Sequence, residues 1–86
     1  MMRRAVNVKP LGSCLILVRF DTGEEKVFNC FPLMENRLFS RLSDAEFFRT
    51  VHIDDMGVVC WDEATDINPY VLYEESEDLS NFAFAG

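Results

Sequence analysis

The chain has 86 residues, a net charge of −7 and an apolar fraction of 49%, including eight Phe. So short a chain makes one domain with a thin margin of stability, and so apolar a chain is not disordered throughout. The longest apolar run, Cys14 to Val18, is far below the roughly 20 residues a membrane helix needs, and Arg3-Arg4 leads into no long apolar stretch of a signal sequence. The chain is therefore expected to stay in the cytoplasm and off membranes.

Taken in order, Val6 and Val8 alternate with Asn7 and Lys9 as a first strand ending at Pro10-Leu11-Gly12. Cys14 to Phe20 reads as a stronger strand with Ile16, Val18 and Phe20 on one face and Leu15 and Leu17 on the other. Apolar residues on both faces place it centrally in a sheet. Asp21-Thr22-Gly23 is turn chemistry, and Glu25 to Phe28 returns antiparallel. Pro32 opens a short helical turn. Ser43-Asp44-Ala45-Glu46 fits a capping box, with Ser43 as N-cap, Leu42 and Phe47 as its staple, and a helix over about 44–50.

Val51 to Asp54 alternates like a strand, Asp55-Met56-Gly57 turns, and Val58 to Trp61 returns. Asp62-Glu63-Ala64 turns again before a very short strand at Thr65 to Ile67. Asn68-Pro69 marks the start of a last helix, with Asn68 as N-cap and Pro69 in its first turn. The expected fold is α+β: an antiparallel sheet of about five short strands in hairpins, with two or three short helices. Residues 1–78 form the domain and residues 79–86 a C-terminal tail.

The order of these signals is familiar. Lys9-Pro10-Leu11, Leu15 to Phe20, Gly23, Val27-Phe28, Pro32-Leu33, Phe39 and Phe47-Phe48 are followed by Val51, Val58 to Trp61, Asp66 to Pro69 and Leu72-Tyr73-Glu74. This pattern resembles the bacterial domain-of-unknown-function family 2442 up to about Glu75, most specifically from Trp61 to Tyr73. The resemblance implies a small α+β fold on an antiparallel sheet and a bacterial or phage origin. It also implies a short protein encoded beside another small one, in arrangements that look like toxin–antitoxin pairs. No catalytic residues are established for that family, so the resemblance carries none over to this chain. The tail, Ser80 to Phe84, extends past the family's usual end.

Candidate chemistry is sparse. His52 and Asp54 share a strand face and could form an oriented base or a weak metal site, and Asp62, Glu63 and Asp66 gather around one turn. The spacing fits no EF-hand, and polar residues at such positions are usually solvated or bonded to backbone. Cys14, Cys30 and Cys60 are widely spaced and form neither a C-x-x-C nor a His–Cys cluster, so zinc and thioredoxin-type readings fall away. They read as reduced packing residues, with a disulfide between two of them as the alternative. No phosphate loop or nucleophile elbow is present, and no cofactor is implied.

Charge is the most uneven feature. Residues 1–20 carry four bases and no acid, whereas from Asp54 onward there are nine acids and no Lys or Arg. Such a field disfavours direct nucleic-acid binding and attracts a basic protein. The expected function is a non-catalytic protein-interaction module, the antitoxin-like or accessory member of a two-gene pair. Glu74, Glu75, Glu77 and Asp78 would supply attraction, with Trp61, Tyr73, Phe82 and Phe84 as apolar anchors. A homo-oligomer built through sheet edges is the further possibility, and a ligand- or metal-dependent enzyme or sensor using His52 and Asp54 is the alternative.

Overall fold

The structure, a computed structural model, describes residues 4–12 and 14–81. Strands β1 (Ala5–Pro10), β2 (Leu15–Phe20) and β3 (Glu25–Asn29) form an antiparallel meander. β2 lies at its centre, as its two apolar faces predict. Gly23 closes the β2–β3 turn at φ +91°, and its N–H donates to the Phe20 carbonyl at 2.9 Å. Strand β2 begins one residue later than the apolar run, because Cys14 takes a left-handed φ of +63°.

Two 3₁₀ segments, Phe31–Glu35 and Arg37–Ser43, lead to helix α1 (Ala45–Phe48). The cap of α1 sits one residue beyond the expected position. Asp44 is the N-cap, its carboxylate accepting from the Glu46 N–H at 3.0 Å, whereas the Ser43 hydroxyl donates back to the Ser40 carbonyl. Ser43 is consumed in ending the 3₁₀ turn, so the helix starts later and is shorter than the capping box suggests.

Strands β4 (His52–Ile53), β5 (Val59–Asp62) and β6 (Thr65–Asp66) make a second, three-stranded sheet. Helix α2 (Pro69–Glu75) follows, with Pro69 in its first turn and the Asn68 carboxamide accepting from the Tyr70 N–H at 2.9 Å. Strand β7 (Glu77–Asp78) then pairs with β3, giving the order β1-β2-β3-β7. A last 3₁₀ turn, Leu79–Asn81, follows where a tail was expected to begin. The fold is α+β, with its strands divided between two antiparallel sheets.

One core joins them. Ile16, Val18 and Phe20 of β2 are at most 1% exposed and cluster with Phe28, Leu42, Phe48, Val59, Trp61, Ile67 and Leu72. The register carries a consequence for charge. Lys26 pairs with Val18, so the pleat aims its stem at the core face, and only 9% of the residue is exposed.

Candidate interaction surface

Helix α2 has two unlike sides. With Leu72 turned into the core at 2% exposure, residues two positions back lie about 200° round the helix. Tyr70 accordingly stands in solvent at 67% exposure, and its neighbour Val71 is 41% exposed. The inner side is fully engaged. The Tyr73 ring meets Phe20 edge-on with centroids 5.2 Å apart, and its hydroxyl donates to the Glu24 carboxylate at 2.9 Å. Lys26 Nζ lies 3.9 Å from the centre of the same ring and donates to the Tyr73 carbonyl at 3.0 Å, which the Ser76 hydroxyl also reaches at 3.1 Å. Lys26 thus places a cation at the negative end of α2.

The outer side carries Glu74 and Glu75, and β7 adds Glu77 and Asp78. All four are exposed, and none forms an ion pair among the described residues. The last turn of α2 holds no basic residue of its own. Carboxylates at a helix C-terminus oppose the dipole there, so these charges work against local stability.

Beside α2 runs an apolar groove of about 500 Å³. Leu33, Leu38 and Phe39 from the 3₁₀ segments form one wall; Ile67, Pro69 and Val71 form the other, and Asp66 is its one charged lining residue. Leu38 is 60% exposed.

The expected aromatic anchors divide. Trp61 belongs to the core rather than the surface: it is 4% exposed, its indole N–H donates to the Phe48 carbonyl at 2.9 Å, and its ring lies against Phe48. Its place on the inward face of β5 removes it as a partner anchor. Tyr73 is half-buried and held by Phe20, Lys26 and Glu24. Phe82 and Phe84 lie outside the described residues. The exposed apolar residues here are Leu38, Tyr70 and Val71; the period of α2 around Leu72 picks out Tyr70 and Val71, whereas Leu38, in a 3₁₀ segment, has no such signal.

The expected His52–Asp54 pair does not form. Strand β4 ends at Ile53, and the Asp54 carboxylate turns back to accept from the N–H groups of Met56 and Val58 at 2.8 and 3.0 Å. His52 instead faces Cys60 across the β4–β5 register, with Nε2 3.5 Å from Sγ, and its Nδ1 lies 2.8 Å from the Thr50 carbonyl. That carbonyl can only accept, so Nδ1 carries a proton, and in the neutral ring Nε2 is the acceptor that faces the thiol. The eight-residue spacing across a tight hairpin was the sequence signal for this pair.

The surroundings of the pair disfavour a thiolate. Burial pushes the Cys60 thiol up, and the nearby carboxylates of Asp54, Asp66 and Asp62 push it further. An activated cysteine needs the opposite shift. Asp62 is held below the usual carboxylate range, first by the Thr65 hydroxyl, then by the Ala64 N–H and the Arg41 guanidinium 3.1 Å away. Of the turn carboxylates Asp62 is thus committed to local structure, and no group of three or more His, Cys, Asp or Glu among the described residues could hold a metal ion. All three cysteines are free; Cys30, wholly buried, is pushed up to about 12 by burial and by Cys14.

No helix among the described residues is long and apolar enough to cross a membrane. Fold and surface together define a small α+β domain with a run of exposed carboxylates along α2 and β7 that form no ion pair among the described residues. The chain belongs to the family described as "Protein of unknown function (DUF2442)", whose model matches residues 5–78. No curated protein and no solved structure matches it.

Proposed function

We propose that this domain is a non-catalytic protein-interaction module that engages a basic protein through the acidic surface of α2 and β7. The observation that supports this most is the placement of Glu74, Glu75, Glu77 and Asp78: exposed, without ion pairs among the described residues, and partly at the helix end where negative charge costs stability. Charges kept against the interest of the fold are explained by a partner that neutralises them. The antitoxin-like or accessory member of a two-gene pair is the biological form of this reading. The same surface opposes an isologous homodimer, because a two-fold contact would set the carboxylates of both copies against each other.

The test is a pull-down of the tagged chain from its native host, with salt raised in steps. A stoichiometric basic protein should be released by moderate salt. Reversing the four carboxylates to Lys should weaken its capture by tenfold or more, roughly what loss of charge complementarity costs. Capture that ignores both salt and charge reversal contradicts the proposal.

A further inference from the structure

Resting on that reading, we infer that the groove between the 3₁₀ segments and α2 takes up an apolar segment of the basic partner flanked by Lys or Arg. The groove supplies what the acidic surface lacks, a desolvated floor. Leu33 and Phe39 are half-buried against the core, while Leu38 and Val71 stand open at the two walls.

The geometry gives the occupant a direction. Glu74 and Glu75 lie three and four residues beyond Val71, on the same face of α2, so the acidic row continues from the groove wall. Asp66 adds charge inside the groove. The opposite wall carries Arg37 beside Leu38 and no acid within Arg37–Ser43. The cations of the bound segment therefore lie on the α2 side, with its apolar residues between Leu38 and Val71.

The 3₁₀ wall is also able to give. Arg37–Ser43 runs seven residues, longer than the three or four at which such helices usually stop, and Leu42 is its one buried residue. Asn36 caps it by accepting from the Leu38 N–H at 2.9 Å. Leu42 and half-buried Phe39 hold the segment to the core and Arg41 ties it to Asp62, so adjustment to admit a side chain falls at its exposed Leu38 end.

The experiment is an amide NMR titration of the full chain with a short synthetic Leu/Lys amphipathic peptide and its Leu/Glu counterpart. Shifts are expected at Leu33, Leu38, Phe39, Ile67 and Val71 with the Lys peptide alone. The paired change Leu38→Ser and Val71→Ser should weaken binding about tenfold, since each exposed apolar contact contributes a fraction of its burial energy. Both side chains are exposed, so amide dispersion should be retained. Glu74→Gln with Glu75→Gln should weaken binding less and flatten its salt dependence.

Absence of shifts, shifts confined to residues 74–78, or affinity unchanged in the Ser variant would overturn the groove while leaving the acidic surface to be judged by the pull-down. Equal binding of the Glu peptide would overturn the charge argument of both. Self-association by light scattering that disappears in the Ser variant would assign the groove to a second copy and overturn this inference.

Discussion

The β1–β3 meander and the α2–β7 segment meet at Tyr73, and they use their residues in opposite ways. In the meander, sequence and structure agree: each apolar position of β2's inner face is buried, and the Arg19–Glu25 cross-strand pair lies 3.5 Å apart on the outer face. In α2–β7, Leu72, Tyr73 and Ser76 turn inward, while Tyr70, Val71 and four carboxylates face solvent without compensation. A region made only for stability would not place acids at the C-terminal end of a helix. The contrast separates residues that hold the domain together from residues that the fold does not use.

The largest test of that contrast compares Phe20 with Tyr70. Phe20→Ala removes a side chain that is 1% exposed and leaves a cavity beneath Tyr73, so it should cost about 3–5 kcal/mol. For a domain of this size that is a large part of the total stability. Tyr70→Ala should change stability by no more than about 0.5 kcal/mol. Urea unfolding followed by circular dichroism measures both. A Tyr70 variant as unstable as the Phe20 variant would place Tyr70 in the fold's support and remove it from the open face.

A middle-sized effect is expected where the regions join. Lys26→Met keeps the buried stem but deletes the ammonium that bonds the Tyr73 carbonyl and faces its ring. A charged hydrogen bond and a cation–π contact are lost, while the Ser76 hydroxyl still reaches the carbonyl and Met regains apolar packing. The net loss should be about 1–2 kcal/mol, read as a lower urea midpoint with unchanged slope. Amide exchange should rise first in α2 and β7, because the Lys26 ammonium is a side-chain tie added to the short β3–β7 ladder. Uniform loss of protection across both sheets would show that the two regions unfold as one.

How much of this was legible in the residues follows from the range of the forces involved. The β2–β3 hairpin and the Asn68-Pro69 helix start were readable because alternation, Gly23 and a side-chain cap act within a few residues. The division into two sheets was not, because no local signal decides which strands pair across the stretch Phe31–Phe48 that separates β3 from β4 in the chain. The α1 cap slipped by one because Ser43 and Asp44 are both competent caps, and the preceding 3₁₀ turn claimed the serine. Of the expected surface, the carboxylates were legible from charge alone. Trp61 was not, since the same amphipathic ring suits a core edge or an interface, and only the Phe48 carbonyl within reach of its N–H decides. The role of Lys26 was hidden in the register that pairs it with Val18.

The smallest effect is the most discriminating, because its sign matters more than its size. Glu74→Lys with Glu75→Lys places cations at the negative end of α2, where each is worth about 0.3–1 kcal/mol. Lys26 already occupies that end from the inner side, so the gain should fall at the bottom of this range for each charge, about 0.6 kcal/mol for the pair. A small rise in melting temperature is therefore expected together with loss of partner capture. That combination is the signature of residues retained for binding at the expense of the fold. A fall in melting temperature instead would mean that the carboxylates stabilise α2 by some local contact, and the asymmetry between its two sides would lose its functional meaning.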